Sequence, residues 1–174
     1  MQYRPWADGE ITTSQLFFDS LPRYAYKLTN LDRASSPEML PDPDLWFEVE
    51  ANATYLVEFS LFAGGATGAQ FQGGWGVPFA SSVTKRRGVS GPHFGATDDN
   101  PINIRTTVPD VVTTPLAFGY RPAGNESLNH IHEEGLLETG DFPGVLSYEW
   151  GQYASSTTFC RLGRGSWARV QRLA

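Results

Sequence analysis

Residues 51–63 read Ala-Asn-Ala-Thr-Tyr-Leu-Val-Glu-Phe-Ser-Leu-Phe-Ala, and we expect the rest of the chain to be arranged around this stretch. From residue 55 every second position is apolar: Tyr55, Val57, Phe59, Leu61 and Ala63. Glu58 and Ser60 lie between them. Successive side chains of a β-strand point to opposite faces, so this alternation predicts a strand with one face on a core. We expect the strand to end in a turn at Gly64 and Gly65, because glycine readily adopts turn conformations.

The same alternation recurs along the chain and predicts about ten short strands, a number typical of an antiparallel sandwich or barrel. The runs are residues 23–29, 45–50, 51–63, 69–77, 102–108, 112–120, 126–138, 145–153, 157–162 and 166–173. Residues 30–44 are predicted to be a loop, because their prolines lack the backbone donors of a sheet. Residues 78–100 are also predicted to be irregular. The expected fold class is all-β, an antiparallel two-sheet jelly roll.

Composition limits the class of protein and its partners. A chain of 174 residues suits one domain, and 13% aromatic with only 18% charged residues favours packed strands over a helical bundle. The net charge of -6 disfavours nucleic acid as a partner, because phosphate binding depends on Lys and Arg. No stretch is long and apolar enough for a membrane span or a signal peptide. We therefore expect synthesis and folding in a cytoplasm.

The first 35 residues differ from the rest and predict a docking arm. Thr13 to Leu21 could form a short helix, which Pro22 would end. Several large apolar side chains of this segment need a surface to cover them: Trp6, Ile11, Leu16, Phe17, Phe18 and Leu21. They either fold back on their own domain or dock on a neighbouring subunit. We expect residues 1–35 to hold the arm, its helix and a first strand, and residues 36–174 to form the sandwich.

Some strands also carry aromatic side chains on the face opposite the predicted core row. These residues are Trp46, Phe62 and Trp150. A second apolar face on a compact sandwich is usually covered by another subunit. The three residues are therefore candidates for an interface between copies of the chain.

Two residue types could suggest metal chemistry or nucleophilic chemistry. His130, His132 and Glu134 alternate along one strand, so the histidines are weak candidate metal ligands. The alternative is an exposed edge strand, since Asn129 and Glu133 make its other face polar as well. Cys160 is the only cysteine, so no intrachain disulfide can form, and its apolar surroundings predict a buried strand residue rather than a nucleophile. No metal site is expected.

Carboxylate pairs and a glycine-rich stretch are the remaining features that could indicate a catalytic or phosphate-binding site. The carboxylate pairs are Asp42 with Asp44, Asp98 with Asp99, and Glu133 with Glu134. We expect each pair to be solvated, so no catalytic pair is predicted. Residues 64–68 are glycine-rich but lack the Lys and the helix of a phosphate-binding loop, which favours a hairpin turn. The single basic run, residues 85–87, is interpreted as part of a solvated loop.

Three stretches resemble a group of small structural proteins of phages that infect actinobacteria. They are residues 45–63, beginning Leu-Trp-Phe-Glu-Val-Glu-Ala-Asn-Ala, residues 140–153, reading Gly-Asp-Phe-Pro-Gly-Val-Leu-Ser-Tyr-Glu-Trp-Gly-Gln-Tyr, and residues 165–170, reading Gly-Ser-Trp-Ala-Arg-Val. In that group, similar segments lead the first long strand and close the domain. Residues 7–17 are similar to the openings of phage tail-associated proteins. The chain departs from the group at Gly151, where alanine is usual. Its stretch 78–100 is also longer than the corresponding stretch of the group.

The resemblance implies a trimeric jelly roll of the tumour-necrosis-factor and complement-globular type, attached to the virion by its N-terminal segment. The expected function is therefore a structural component of a tailed-phage virion, tail-associated or on the capsid surface as a decoration protein. Its partners would be further copies of itself and a tail or major capsid protein. The alternative is a module that binds a host receptor or glycan through residues 78–100 and 121–126. Neither function implies an enzyme or a cofactor.

Overall fold

The computed structural model describes residues 21–66, 68–95, 103–108, 115–119 and 128–174, and for residues 83–88 and 103–108 it describes the backbone alone. All the regular secondary-structure elements in these ranges are β-strands, and no helix is found among the described residues. The strands are β1 (Arg23–Tyr26), β2 (Leu31–Arg33), β3 (Leu40–Val49), β4 (Thr54–Gly65), β5 (Phe71–Gly76), β6 (Ser82–Pro92), β7 (Asn103–Val108), β8 (Leu116–Ala117), β9 (Asn129–Glu138), β10 (Gly144–Gln152), β11 (Cys160–Leu162) and β12 (Trp167–Arg172). The all-β prediction is confirmed.

The strands form two antiparallel sheets, consistent with a β-sandwich. The eight-stranded sheet has the order β1-β12-β4-β9-β6-β7, with β11 also beside β4 and β2 beside β11. The four-stranded sheet has the order β3-β10-β5-β8. From β3 to β6 and from β7 to β11 each connection joins one sheet to the other. Among the described residues no helix is long and apolar enough to cross a membrane.

Strand β4 is the centre of the larger sheet, as its alternation predicts. Its 12 residues pair with β12 and β11 on one side and with β9 on the other. The predicted core row is buried: Tyr55, Val57, Phe59, Leu61 and Ala63. The strand does not end before the glycines, because Gly64 and Gly65 pair with β11. The predicted hairpin turn is wrong, since the following strand β5 belongs to the other sheet.

The core lies between the sheets and is rich in aromatic rings. The Phe59 ring of β4 lies 5.5 Å from the Trp75 ring and 5.1 Å from the Tyr148 ring, measured between centroids. Phe71 stacks on Trp150 at 5.5 Å. Removal of these apolar surfaces from water, at roughly 25 cal/mol per Å², is the main stabilising contribution.

Trp150 is therefore not an outward-facing residue, and the prediction that placed it on the second face is wrong. Its side chain is fully buried. The even-numbered residues of β10 face the core, with Leu146 and Tyr148 in the same row as Trp150. The row of Val145 faces outward instead.

Two predicted loops contain strands. Residues 30–44 include β2 and the first half of β3, although Pro41 and Pro43 lie in β3. The prolines are tolerated because β3 is an edge strand of its sheet, so one row of its backbone groups has no partner strand to bond. Residues 78–100 include β6, which pairs with both β9 and β7. The basic run 85–87 thus lies in a strand and not in a loop.

Part of the predicted N-terminal arm belongs to the larger sheet. β1 pairs with β12, with Arg23 opposite Val170, and β2 pairs with β11. Residues 23–33 are therefore hydrogen-bonded to the last strands of the chain. The predicted helix at residues 13–21 lies outside the described residues, apart from Leu21.

Candidate functional site

Among the strand residues whose side chains are described, the outward face of the eight-stranded sheet carries more exposed aromatic side chains than the outer face of the four-stranded sheet. Register places Tyr26, Trp167, Ser60 and His132 in one row across β1, β12, β4 and β9. We call this surface the large-sheet face. It is defined by these outward residues: Tyr24, Tyr26, Leu56, Glu58, Ser60, Phe62, His130, His132, Glu134, Leu136, Trp167 and Arg169.

Aromatic contacts run along both ends of the large-sheet face. The Tyr24 and Trp167 ring centroids lie 6.4 Å apart, and those of Phe62 and His130 lie 5.6 Å apart. Tyr24 is 64% exposed and Tyr26 is 53% exposed. Large aromatic rings left open to water in neighbouring strands form a surface suited to contact with another protein.

Charged groups lie at the middle of the large-sheet face. Arg169 Nη2 lies 2.8 Å from Glu58 Oε2, and His132 Nδ1 lies 3.8 Å from Glu58 Oε1. His132 Nε2 lies 3.7 Å from Glu134 Oε2. Arg169 and Glu58 thus form an ion pair within the face, which lowers the cost of covering these two charges.

His130 and His132 share a face, as the sequence predicts, but they do not lie on an edge strand. β9 is hydrogen-bonded to β4 and β6, so the edge-strand interpretation is wrong. His130 Nε2 shares a hydrogen bond with Ser60 Oγ at 2.8 Å. Partial burial, with a smaller contribution from His132, lowers the pKa of His130. In the described part of the chain, no group of three or more His, Cys, Asp or Glu residues could hold a metal ion.

Glu133 was predicted to be solvated, and this prediction is wrong. Its carboxylate is fully buried in the core. Oε2 accepts a hydrogen bond from Trp75 Nε1 at 2.8 Å, and Oε1 accepts one from the Tyr148 hydroxyl at 3.0 Å. Glu133 thus joins the larger sheet to two aromatic residues of the smaller sheet. A polar residue in an alternating run gives no indication of such partners.

Asp42 was also expected in solvent and is buried instead. Lys27 Nζ, itself buried, lies 2.9 Å from Asp42 Oδ2 and 2.8 Å from Asp44 Oδ2. Trp150 Nε1 also donates a hydrogen bond to Asp42 Oδ2 at 3.0 Å. Lys27 lies between β1 and β2, so this ion pair ties the N-terminal strands to the edge strand β3. Asp98 and Asp99 lie outside the described residues.

Arg33 reinforces the same corner of the sandwich. Its guanidinium lies 4.0 Å from the centre of the Trp150 ring. It also donates hydrogen bonds to the carbonyl oxygens of Leu40, Pro41 and Trp150. Burial lowers the pKa of Arg33, with a smaller opposing effect of Asp42. The corner has a structural role, because its polar groups bond one another.

The sequence-based interface candidates are separated in space. Phe62 lies on the large-sheet face, whereas Trp46 is exposed on the outer face of the four-stranded sheet. Five of the proposed arm residues lie outside the described residues: Trp6, Ile11, Leu16, Phe17 and Phe18. The sixth, Leu21, is described and partly exposed.

The predicted glycan-binding loops are only partly described. Phe79 is 81% exposed and contacts Phe142, with ring centroids 6.0 Å apart. Phe94 contacts Tyr153, with ring centroids 5.1 Å apart. Residues 121–126 lie outside the described residues. The two aromatic residues of the first loop therefore belong to two separate aromatic pairs.

Comparisons with known proteins show no family. No family model matches the chain, and no curated protein matches it. One solved structure, titled "Structure of infectious bursal disease virus Gx strain", is similar over 88% of this chain and 41% of that chain, at 11% identity and a TM-score of 0.20. This chain therefore spans less than half the length of that chain. A TM-score this low supports no argument about fold or function.

Proposed function

We propose that this protein is a structural component of a tailed-phage virion, one that self-associates as a homotrimer and is attached by its N-terminal residues. The observation that carries the proposal is the large-sheet face, where Tyr24, Tyr26 and Phe62 are exposed and Trp167 is half-buried beside them. Aromatic residues are enriched in the buried centres of protein interfaces. The resemblance of residues 45–63, together with 140–153 and 165–170, to actinobacteriophage structural proteins supports the setting.

The finer fold proposed for this role is a jelly roll. The repeated passage of the chain between the two sheets from β3 to β11 supports it. Such a domain would project from the particle, as a tail-associated protein or as a decoration protein on the capsid. Its partners would be two further copies of itself and a tail or major capsid protein. No catalysis is proposed.

Attachment is assigned to the apolar side chains of the first 21 residues. Burial of each large apolar side chain on a partner contributes roughly 1.5–3 kcal/mol. Three arms of one trimer would act together, which raises the overall affinity without new contacts. The arm thus offers a way to hold a small accessory protein on a particle.

The test is a pair of measurements on the full chain and on a variant that lacks residues 1–21. Sedimentation equilibrium should give three times the mass of one copy for each protein, where one copy of the full chain has a mass of 19.2 kDa and one copy of the variant is smaller. Only the full chain should be incorporated into phage particles when supplied during infection. A 19.2 kDa monomer at micromolar concentration would contradict the free trimer. Normal incorporation of the truncated variant would contradict attachment by the arm.

A further inference from the structure

The outer face of the four-stranded sheet contains an open cleft of about 630 Å³. Small-molecule sites usually have volumes of roughly 300–1,000 Å³. The cleft crosses three strands, and one cross-strand row in it consists of Trp46 on β3, Ser147 on β10 and Gly76 on β5. It lies on the opposite side of the sandwich from the large-sheet face. None of the proposed roles of the protein uses it.

Glycine residues of β5 shape the floor of the cleft. Gly76 lies where a Cβ would overlap the Glu149 carboxylate and come within 2.7 Å of Ser147 Oγ. The absence of a side chain at Gly76 therefore lets a carboxylate and a hydroxyl lie side by side. Gly74 occupies the neighbouring row, opposite Glu149. The floor thus presents hydrogen-bonding groups rather than apolar side chains.

Trp46 forms an aromatic wall of the cleft. Its side chain is 46% exposed, and its Nε1 donates a hydrogen bond to the Pro43 carbonyl at 3.1 Å. That bond satisfies the only polar atom of the indole and restrains the ring. The exposed part of the ring is therefore an apolar platform beside the polar floor. Val145, also exposed, extends the apolar part of the wall.

The charges around the cleft restrict the ligand. Two carboxylates line it, Asp42 and Glu149, and no Lys, Arg or His is among its described lining residues. Asp42 is already paired with Lys27. An anionic ligand is therefore disfavoured. Quaternary ammonium ligands are recognised by cages of aromatic rings, whereas the Trp75 ring lies in the core and leaves Trp46 as the single aromatic platform among the described lining residues.

We propose that this cleft binds a neutral saccharide. The C–H bonds on one face of a pyranose ring carry partial positive charge, and they would lie on the electron-rich face of the Trp46 indole. Hydroxyl groups at the rim of the sugar would donate hydrogen bonds to the Glu149 carboxylate, and such charge-assisted bonds are strong. Ser147 Oγ would accept or donate a further bond. The site is separate from residues 78–100 and 121–126, and it does not depend on trimer formation.

The experiment uses the full chain and a panel of neutral sugars. The probes are the methyl glycosides of glucose, galactose, mannose and N-acetylglucosamine at millimolar concentration, with the corresponding disaccharides. The readout is the indole N–H resonance of Trp46 in two-dimensional NMR spectra, assigned by its loss in Trp46→Ala. At least one probe should shift this resonance in a saturable manner. In the variants, binding is followed by the backbone amide resonances of Gly76 and Glu149, which line the cleft and are kept in Trp46→Ala. It should be lost in Trp46→Ala and weakened about tenfold in Glu149→Gln, the loss expected from one charge-assisted hydrogen bond.

Two further variants separate the cleft from general surface effects. Tyr24→Ala removes an aromatic residue that is exposed on the other sheet and should leave sugar binding unchanged. Gly74→Ala adds a methyl group to the floor, 3.4 Å from Met39 Cε and 3.6 Å from Pro115 Cα. These are ordinary contact distances, so the fold should persist while binding weakens. Circular dichroism and thermal unfolding verify that each variant is folded.

Three results would overturn the proposal. The first is that no sugar of the panel shifts the Trp46 resonance. The second is a sugar response that persists in Trp46→Ala. The third is an equal or stronger response to tetramethylammonium or to an arginine-containing peptide, which would assign the cleft to cations. Each result would leave the proposed virion role untouched, because that role is tested by mass and by incorporation into particles.

Discussion

At the scale of single residues, buried polar groups explain much of how this sandwich is held together. The Lys27 ammonium and the Asp42 carboxylate are both withdrawn from water and lie 2.9 Å apart. The burial of either charge alone would be costly, because the interior replaces few of the hydrogen bonds that water supplies. Each residue therefore depends on the other. The pair also holds β3 beside the first strands of the chain.

Removal of Lys27 should destabilise the protein more than removal of a partly exposed partner. We expect Lys27→Ala to lower the free energy of unfolding by about 3–5 kcal/mol, because Asp42 is left buried without its cation. Asp44→Asn is the control, since 38% of the Asp44 side chain is exposed and Lys27 keeps its buried partner Asp42; we expect a loss of about 1 kcal/mol or less, as for partly exposed ion pairs. Equilibrium unfolding in urea measures both. Equal losses in the two variants would contradict this role of Lys27.

Cys160 should be inert in the folded protein. Burial raises the pKa of its thiol to about 12, so the reactive thiolate is scarce at neutral pH. We expect iodoacetamide to leave the native protein unlabelled at mildly alkaline pH and to label it fully in guanidinium chloride. Mass spectrometry of both samples checks this. Rapid labelling of the native protein would show that β11 opens readily.

At the scale of elements, the two faces of β9 differ in burial, with buried and half-buried residues alternating along the strand. Its inward row includes Glu133, which bonds to Trp75 and Tyr148 of the other sheet. Its outward row includes Glu134 and the two histidines. Glu133 is thus buried and bonds to the other sheet, whereas the next residue, Glu134, lies on the surface. Adjacent substitutions on this strand are therefore a matched pair.

Glu133→Ala should cost about 1–3 kcal/mol of unfolding free energy, because it removes the acceptor of two buried hydrogen bonds. Glu134→Ala, on the opposite face of the same strand, should change stability by no more than about 0.5 kcal/mol, as is usual for surface substitutions. Thermal and urea unfolding of both variants provide the comparison. The bridging role of Glu133 is refuted if the two variants unfold alike.

His130 should make the protein less stable on mild acidification. Its folded pKa lies below the usual value of 6.5, so the unfolded chain takes up the proton first as the pH falls. Stability is therefore full above about pH 6.5 and is lost as the pH falls from there through the folded pKa. His130→Gln should reduce this loss. Urea unfolding across the range tests the prediction, with His93→Gln as the control outside the strand.

At the scale of the whole molecule, the two outer surfaces of the sandwich differ. The large-sheet face is broad, aromatic and internally charge-paired, whereas the face of the smaller sheet holds a concave cleft with an acidic floor. Broad flat surfaces suit a protein partner, and clefts suit small ligands. The two proposals therefore concern opposite sides of one domain, and both functions could operate at once in an assembled trimer.

A single charge on the large-sheet face should prevent self-association. Tyr26 of the edge strand β1 lies beside Trp167 on the large-sheet face, so Tyr26→Lys would bury an unpaired ammonium in the proposed interface. We expect this variant to sediment as a 19.2 kDa monomer. Phe79→Lys changes a more exposed aromatic residue elsewhere and should leave the mass unchanged. If Tyr26→Lys remains associated, the interface lies on another surface.

The pattern of apolar residues was sufficient to predict the all-β class, the core row of β4 and the buried Cys160. Alternation is a local property, because the direction of successive side chains follows from the geometry of an extended backbone. It predicted the ends of most strands to within a few residues. The same pattern placed Trp150 on the wrong face, because both rows of β10 contain apolar residues and only packing against the other sheet selects one.

Pairing between distant parts of the chain determined which strands are neighbours. β1 and β12 meet although Arg23 and Val170 stand at opposite ends of the sequence, and no local pattern records which strands become neighbours. For that reason the sequence could not show that β9 is central, that β3 tolerates prolines at an edge, or that Glu133 and Asp42 find buried partners. The cleft beside Trp46 has the same origin, since its three strands come together only in the folded chain. Local chemistry thus determined which segments are strands, and tertiary contacts determined which side chains are buried, paired or exposed.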